Sequence, residues 1–550
     1  MQKFVSSLYD KVLSFLVSPC FHGSLISVGV LLRLKHYFEN RSFWTDEAWV
    51  AVNIVSRSWQ EMFYHLPALH DWPNRPLGFS LIEKFSAFVL GNSEYAFRLF
   101  PVVAGILAMF LFYKLLKEHV GPGVTSIALG LFVFSEHAIH FSVELKQYSS
   151  DILIALILFR SIEKFLEGKI TSRKVVVFGF IGALSLWVSH SAIFILAGFG
   201  LVLTGDVFAR KREHGFSALA KVFSFWAWSF VLVYKFSLSY ARQNVDLVMY
   251  WDKYFYSGWI FSASGIAWLK RVVFDLFSNP GGLMFPGIGL VLFVVGAVVF
   301  FKKNKTQFFS FSLPFLLILL TAVLKKYPFQ GRLLLFALPV VYMFIAQGVV
   351  SLTTKLGRAA AVISIILIVA LFCGPVMNAR YYLTHVLSDE PNREVLSFVD
   401  QHYKSGDFLF LNAMAQTAYW YYVSTLGLNE KVPKTLDRIV EGKPQQGVKV
   451  IKIHDQLATD EGKMYGGFQQ MVHWYDEKGF FRDYQDDGSV QKVYADTTLE
   501  LEGIGRAWVF FAHDRPGVKD FILNVFDRHG KRLKAMERNK SAAYLYSFGK

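Results

Sequence analysis

The chain has 550 residues, of which 53% are hydrophobic and only 18% are charged. Soluble globular proteins carry about 25% charged residues, so this composition excludes an ordinary soluble enzyme and favours a helical integral membrane protein. The net charge of +15 would suggest nucleic acid as the partner of a soluble protein. Here most of the excess lies in short loops between apolar runs, where the positive-inside rule accounts for it, and we expect no nucleic acid partner.

The N-terminal region predicts an anchor that stays on the chain. Residues 1–18 are typical of an amphipathic cytosolic segment, and the first apolar span runs to about residue 34. No convincing small-residue cleavage site follows, so we expect this segment to be retained. The two cysteines, Cys20 and Cys373, lie in apolar segments and indicate neither a disulfide framework nor a metal motif.

A long stretch separates the first span from the next unambiguous one. It contains two apolar runs, 47–66 and 76–90, and the second has Glu83 and Lys84 at its middle. Charged residues at that depth disfavour a membrane crossing. We therefore predict two helices that lie along the membrane surface, in the first external loop.

Ten further apolar runs predict membrane spans. They are residues 98–116, 123–141, 149–165, 175–189, 191–208, 222–239, 283–301, 308–324, 333–350 and 359–377. Each has about 15–20 residues, which suits a hydrocarbon core that needs about 20. With the first span, the chain is predicted to cross the membrane about eleven times.

The loop charges predict the orientation. One set of alternate loops is short and strongly basic: 114–117, 160–174, 210–221, 302–305 and 355–358. By the positive-inside rule these loops face the cytosol, so the N-terminus lies inside and the C-terminal residues outside. If residues 76–90 crossed the membrane, the basic loops would face outward, which the rule disfavours.

The composition changes after about residue 378, where polar residues become frequent. Helices are predicted at 392–403, 415–424 and 518–528, and strands at 407–411, 448–453, 506–512 and 542–547. This alternation predicts a small α/β domain with a partly parallel sheet. The predicted organisation is a transmembrane catalytic domain at 1–379 and an extracytoplasmic α/β domain at 380–550.

An acidic pair, Asp46-Glu47, follows the first span and lies among aromatic residues. Carboxylates close to hydrocarbon are costly and tend to mark function. The simpler alternatives are that Asp46 forms a helix N-cap together with Thr45, and that Glu47 is a solvated first-turn acid stabilised by the helix dipole.

The predicted topology gathers acidic, basic and aromatic residues at one membrane face. They are Asp46, Glu47, Arg75, Arg98, Glu144, Lys146, Tyr148, His190, Tyr327 and Arg332. Such a set suits a substrate whose phosphate lies at the level of the lipid headgroups and whose tail stays in lipid. Arginine favours bidentate phosphate contacts, and lysine supplies a point charge.

Four ordered segments resemble a known family. They are Asp46-Glu47, residues 75–79 (RPLGF) with 91–101 (GNSEYAFRLFP), residues 144–149 (ELKQYS), and residues 327–332 (YPFQGR) before an apolar helix. Together they resemble the GT-C membrane glycosyltransferases that use polyprenyl-phosphate sugars. The branch is the bacterial one related to protein O-mannosyltransferases and lipid A aminoarabinose transferases (glycosyltransferase family 39-like). The resemblance covers about residues 30–380, and the external domain matches more loosely, at 391–395 and 405–407.

The resemblance implies an inverting transfer of a sugar from a polyprenyl phosphate carrier, with Asp46 as the general base. A free aspartate has a pKa of about 3.9 and is a weak base, but it can accept the acceptor's proton as that hydroxyl becomes acidic in the transition state. Glu47 would orient Asp46 or the acceptor, and Glu144 is a weaker candidate for the same role. The remaining residues take two roles. Arg75, Arg98, Lys146 and Arg332 would bind the donor phosphate, and Tyr148, His190 and Tyr327 would line the cavity.

The sequence leaves open whether the protein binds a metal ion. Some relatives hold a divalent ion with acidic residues and a histidine, and Glu47, Glu144 and His190 could do so here. No ligand spacing in the sequence demands it. We therefore expect no certain cofactor.

Several alternatives also stay open. The acceptor hydroxyl could belong to a cell-envelope glycan or lipid such as lipopolysaccharide, which we favour, or to a protein. A transporter or flippase of a lipid-linked sugar would place charges near the bilayer midplane in paired halves, a pattern the chain lacks. A third alternative is a non-catalytic membrane scaffold in which the external domain carries out the function. We instead interpret this domain as a cap or an acceptor-docking module. The expected location is the bacterial inner membrane, with the C-terminal domain in the periplasm or outside the cell.

Overall fold

The computed structural model describes most of the chain. The described residues are 14–64, 75–210, 215–239, 251, 254–256, 258–354, 360–386, 390–412, 414–425, 448–451, 474–475, 481–482, 504–513 and 518–549. Most of the predicted cytosolic segment at 1–18 and parts of the basic loops at 210–221 and 355–358 lie outside these residues.

The chain divides into two compact units. The first comprises residues 1–39, 73–82 and 98–386. The second comprises residues 40–72, 83–97 and 387–550, so it combines the predicted C-terminal domain with most of the first loop, including the acidic pair.

Fifteen of the described α-helices precede the C-terminal region. In chain order they are α1 Pro19–Phe38, α2 Thr45–Ser56, α3 Leu77–Leu90, α4 Glu94–His119, α5 Pro122–Phe134, α6 Glu136–His140, α7 Tyr148–Leu166, α8 Ser172–Val188, α9 Ala192–Arg210, α10 Gly215–Val233, α11 Ala263–Ser278, α12 Pro286–Lys303, α13 Lys305–Val323, α14 Leu338–Thr353 and α15 Ala360–Thr384. Three short helical segments lie between them at Phe141–Val143, Tyr234–Leu238 and Gly331–Ala337, and another follows α2 at Glu61–Phe63.

Among the described residues, seven helices are long and apolar enough to cross a membrane, and eight if one bent pair counts as a single span. The prediction of a polytopic helical membrane protein is therefore confirmed. Three of the eleven predicted spans are helices that fall short of this test, namely α1, α7 and α8. Helices α1 and α7 carry ionisable residues such as Arg33 and Arg160, and α8 has only 17 residues.

The predicted span at 123–141 is two helices rather than one. Helix α5 ends at Phe134, and the chain resumes in α6 after a bend of 58°. Ser135 causes the break, because its backbone is extended and its hydroxyl accepts a hydrogen bond from the Ala138 amide at 3.3 Å. It therefore caps α6 instead of continuing α5.

Helices α12 and α14 approach each other closely through two glycines. A Cβ atom on Gly296 would overlap the carbonyl oxygen of Phe344, and one on Gly348 would overlap that of Leu292. Small residues allow membrane helices to bring their backbones together in this way. Helix α14 is correspondingly buried along most of its length.

Residues 240–282, which lie between two predicted spans, contain helix α11. Its buried residues include Trp268, Val272 and Leu276, which recur every four positions along one face. The helix has a short apolar stripe with charged residues between the buried positions. This pattern differs from that of most predicted membrane spans, which have few or no charged residues.

The second unit contains a mixed sheet. Its elements are α16 Asn392–His402, β1 Phe408–Asn412, α17 Ala415–Thr425, β2 Val448–Ile451, β3 Trp474–Tyr475, β4 Phe481–Arg482, β5 Arg506–Ala512, α18 Val518–His529, β6 Lys531–Arg538 and β7 Ser541–Ser547. The strand order is β2-β1-β5-β7-β6, with β1 parallel to β2 and β5, and β7 antiparallel to β5 and β6. Strands β3 and β4 form a separate antiparallel pair.

These elements confirm the predicted α/β domain with a partly parallel sheet. Each predicted helix and strand is found, with ends that differ by no more than a few residues. Strands β5 and β7, buried at all but one end residue each, form the sheet's core, with Val509 opposite Tyr544. Strand β6 was not predicted, because it is an exposed edge strand with the charged sequence KRLKAMER.

Candidate active site

The acidic pair lies in the first turn of α2, in the second unit. The helix begins at Thr45, and Trp44 at the N-cap position makes no capping hydrogen bond through its side chain. Asp46 is half-buried, whereas Glu47 is fully buried. Thr45 and Asp46 are thus helical residues, which rules out the alternative in which Asp46 forms the N-cap together with Thr45.

Glu47 is not a solvated acid. Its carboxylate is paired with Arg41, with Nη1 and Oε2 3.3 Å apart, and both side chains are buried. A buried carboxylate is tolerated when a cation offsets the loss of hydration. The pair fixes the chain just before α2 to the first turn of that helix.

In the first unit, Arg332 and Tyr148 are in contact. The guanidinium carbon of Arg332 lies 5.7 Å from the centroid of the Tyr148 ring, within the range of a cation–π interaction. Tyr148 is buried and begins α7, while Arg332 lies in the helical turn Gly331–Ala337. Two residues predicted to serve one site are therefore neighbours.

His190 and Arg75 are joined through a serine. Ser237 donates a hydrogen bond from its hydroxyl to the Arg75 carbonyl oxygen at 2.8 Å. The same Oγ lies 3.2 Å from His190 Nε2. Because the hydroxyl hydrogen of Ser237 is used in the bond to Arg75, His190 Nε2 carries a hydrogen and donates it to this oxygen. Burial lowers the pKa of His190 to about 4, which keeps its imidazole neutral at neutral pH.

Asp151 is buried in the first turn of α7 and is hydrogen-bonded to Ser189. Burial raises the pKa of Tyr327 well above its ordinary value, and the nearby Asp151 and Tyr148 side chains raise it further. The ring of Tyr327 also packs 4.9 Å from that of Phe194. Asp151 therefore lies near Tyr148 and Tyr327, and it is hydrogen-bonded to the residue that precedes His190.

The other predicted residues of the first unit are Glu144, Lys146 and Arg98. Glu144 is fully buried and its Oε2 lies 3.1 Å from His140 Nε2. Lys146 follows within two residues, and its amide donates to the Glu144 carbonyl oxygen at 2.7 Å. Arg98 is buried near the start of α4.

Sequence reasoning missed Asp151, Ser189 and Ser237. Asp151 sits inside a predicted span, where it is the kind of intramembrane carboxylate that deserves a functional reading by default. The two serines carry no such signal, because serine is common in membrane helices. Ser237 lies in a π-helical turn, and such turns are frequent at functional sites but invisible in sequence.

An apolar cavity of about 590 Å³ lies among α8, α9 and α10. Its lining includes Leu186, Ile193, Phe223, Trp226 and Phe230. Leu186 and Ile193 flank His190 in the sequence, at the facing ends of α8 and α9. The cavity therefore reaches the end of the helices that carries the histidine.

One group among the described residues has metal-ligand geometry, and it is not the predicted one. Glu118, His119 and Glu163 place their ligand atoms within 4.8 Å of one another. Glu118 is already paired with Arg160, and His119 with Glu163. Arg160 and His119 already occupy carboxylate oxygens that a metal would need, so we assign no metal here.

The sequence matches no protein-family model and no curated protein sequence. Solved structures do match the fold. ArnT from Cupriavidus metallidurans bound to undecaprenyl phosphate aligns over 96% of this chain and 98% of its own, with 9% identity and a TM-score of 0.50. The fold is GT-C.

Two further structures give similar alignments. The apo state of the same ArnT covers 95% of this chain and 97% of its own, with 10% identity and a TM-score of 0.48. The oligosaccharyltransferase AglB from Archaeoglobus fulgidus, in complex with an inhibitory peptide and a dolichol-phosphate, covers 95% of this chain and 74% of its own, with 11% identity and a TM-score of 0.49. The alignment with ArnT bound to undecaprenyl phosphate confirms the predicted GT-C fold with a C-terminal α/β domain, and the roles of individual site residues stay predictions.

Proposed function

We propose that this protein is an inverting glycosyltransferase that moves a sugar from a polyprenyl phosphate carrier, such as undecaprenyl phosphate, to a hydroxyl group. The observation that carries the proposal is Asp46, a half-buried carboxylate in the first turn of α2, in a chain with the GT-C fold. The donor class is supported by the ArnT structure, which contains undecaprenyl phosphate.

In this proposal Asp46 removes the proton from the acceptor hydroxyl as the new glycosidic bond forms. The bond from the anomeric carbon to the phosphate oxygen breaks, and the polyprenyl phosphate leaves. General-base help contributes about 10²–10⁴-fold to the rate. Glu47 orients Asp46, since it is buried and held by Arg41.

Arg75, Arg98, Lys146 and Arg332 are proposed to bind the donor phosphate and stabilise the leaving group. A preorganised cation opposite a developing phosphate charge lowers the barrier because it needs no reorganisation during the reaction. The contact of Arg332 with Tyr148 supports this, because it orients a guanidinium beside other predicted residues. The apolar cavity among α8, α9 and α10 is of a size and polarity that suit part of a prenyl chain.

We further propose that the acceptor is a cell-envelope glycan or lipid at the outer face of the bacterial inner membrane, and that the α/β domain is extracytoplasmic. Mass spectrometry of envelope glycolipids from cells with and without the protein tests this. We expect one glycan or lipid to lose the mass of a single sugar when the protein is absent and to regain it on complementation. An unchanged envelope together with a mass change on a secreted protein would make the acceptor a protein. Accumulation of unmodified lipid-linked sugar on the cytosolic leaflet would instead favour a flippase.

A further inference from the structure

Glu390 is a buried carboxylate that binds the first residue of α2. The residue is 1% exposed. Its Oε2 accepts hydrogen bonds from the Thr45 amide at 2.8 Å and from the Thr45 hydroxyl at 2.9 Å. Its Oε1 lies 2.6 Å from His513 Nδ1, in the turn after β5. Both oxygens are therefore engaged, and one of them holds the residue that directly precedes Asp46.

The residues after Glu390 hold the chain before Thr45. Asn392 donates from Nδ2 to the Phe43 carbonyl oxygen at 3.1 Å, and the Arg393 amide donates to Ser42 Oγ at 3.2 Å. The Arg393 guanidinium donates to the Asn40 carbonyl oxygen at 2.7 Å. Residues 40–45 are thus fixed by a segment about 350 positions away in the sequence.

A second contact comes from α17. The Phe43 amide donates to the hydroxyl oxygen of Tyr422 at 2.6 Å, and that hydroxyl donates to Glu94 Oε1 at 3.0 Å. The Arg393 Nη1 donates to the same Glu94 oxygen at 2.8 Å. The backbone amides of Phe43 and Thr45 are therefore both bound by buried side chains of the C-terminal region.

These contacts decide where α2 starts. A helix leaves its first amides without internal partners, and a Ser or Thr side chain at the N-cap usually satisfies one of them. Trp44 stands at the N-cap and cannot do this. Glu390 satisfies the first amide instead and also takes the Thr45 hydroxyl, which leaves Thr45 as the first helical residue and Asp46 as the second.

We infer that Glu390 is a positioning residue for Asp46, and that the C-terminal α/β region builds the acidic end of the active site rather than only docking the acceptor. The inference rests on the proposed role of Asp46 as general base. Because reaction rates depend steeply on the placement of the reacting groups, a small shift at the start of α2 is expected to reduce turnover. Glu390 acts through Thr45 and touches no reacting atom.

The test compares full-length Glu390→Gln with wild-type protein and with Glu394→Gln, an exposed acid on α16, as the matched control. The purified proteins are incubated with a lipid extract from cells lacking the protein, which supplies donor and acceptor, and product is measured by mass spectrometry. We expect Glu390→Gln to lower kcat about 10–100-fold, the scale of a misplaced catalytic group, with the apparent KM for the extract within about threefold. Glu394→Gln should match wild type. Unchanged turnover by Glu390→Gln overturns the inference.

Two further comparisons separate positioning from loss of structure. Thr45→Ser keeps the hydroxyl bound by Glu390 and should retain activity, whereas Thr45→Val removes it and should lose turnover. Hydrogen exchange of the peptide containing residues 43–48 should quicken in Glu390→Gln while exchange of the β5–β7 sheet stays as in wild type. Quickened exchange throughout the second unit would mean that Glu390 merely stabilises the fold, and would overturn the positioning role.

A double variant distinguishes this inference from the proposed function. If Glu390 acts only through Asp46, Asp46→Asn with Glu390→Gln should be no slower than Asp46→Asn alone. Additive losses would overturn the positioning role and leave the general base in place. If Asp46→Asn itself turns over at the wild-type rate, the proposed role of Asp46 fails, whatever Glu390 does.

Discussion

The guanidinium of Arg332 lies over the ring of Tyr148, with 5.7 Å between the guanidinium carbon and the ring centroid. The two residues lie far apart in sequence, one in a helical turn before α14 and the other at the start of α7. This cation–π contact restrains the guanidinium, which then needs less ordering to bind an anion.

Arg332→Gln is expected to raise the apparent KM for the lipid-linked donor about tenfold or more, because a charge-assisted hydrogen bond contributes about 1.5–3 kcal/mol. Arg332→Lys should give an intermediate value, since it keeps the charge and loses the planar face. Tyr148→Phe keeps the ring and serves as the control. Steady-state kinetics with diluted lipid extract measure these values, and an unchanged KM in Arg332→Gln would remove Arg332 from donor binding.

His190 should make the protein less stable in acid. Its pKa is about 4 in the folded chain and about 6.5 when unfolded, so below pH 6.5 the unfolded state binds more protons. The resulting loss of stability grows as the pH falls towards 4 and reaches about 3 kcal/mol. It is absent above pH 6.5, where both states are neutral.

The unfolding temperature of detergent-solubilised protein between pH 7 and 4 measures this effect. The unfolding temperature should fall further in wild type than in His190→Gln, because glutamine retains a donor for Ser237 and does not titrate. Parallel curves for the two proteins would show that His190 does not carry the pH dependence.

Glu83 is expected to destabilise the protein at higher pH. It is fully buried, and burial raises its pKa well above the ordinary value. The unfolded chain ionises this acid near pH 4.5, while the folded chain keeps the proton to higher pH, so stability falls as the pH rises through that interval. Glu83→Gln should therefore raise the unfolding temperature at pH 8 more than at pH 5.

The neighbouring Lys84 provides the contrast. Its Nζ donates to the carbonyl oxygens of Ile54, at 2.8 Å, and of Arg57. Lys84→Gln shortens the side chain and should lower the unfolding temperature. A stabilising Lys84→Gln, or a Glu83→Gln with the same effect at both pH values, would contradict this account of the helix.

Much of the fold could be predicted because hydropathy reports directly on it. The long apolar runs form helices, and the short aromatic-rich apolar runs around residues 409 and 509 form adjacent parallel strands. Strand β6 escaped prediction because a charged edge strand buries little and lacks the alternation that marks a half-buried strand. The bend at Ser135 escaped because one local hydrogen bond decides it.

The site was harder to predict than the fold. Asp46, Arg332 and Tyr148 are predicted as site residues because short segments resemble a family. The sequence does not predict Glu390, although the adjacent segment 391–395 loosely resembles the family, because its proposed role depends on a contact with Thr45 that only the folded chain creates. A buried carboxylate that binds a distant backbone amide leaves no pattern in one sequence.

The orientation can be tested by labelling. In a background with Cys20 and Cys373 replaced by serine, single cysteines are introduced at the exposed Lys169 and Lys534. A membrane-impermeant maleimide should label the Lys534→Cys protein in spheroplasts, and the Lys169→Cys protein only after permeabilisation, because short basic loops face the cytosol. The reverse labelling would invert the proposed orientation.

The most direct test of the central claim is the turnover of Asp46→Asn. Asparagine keeps the size of the side chain and cannot accept the proton of the acceptor hydroxyl. We expect turnover to fall by about 10²–10⁴-fold, the usual value of general-base help, with the unfolding temperature close to that of wild type. Transfer at the wild-type rate by correctly folded Asp46→Asn would contradict the account.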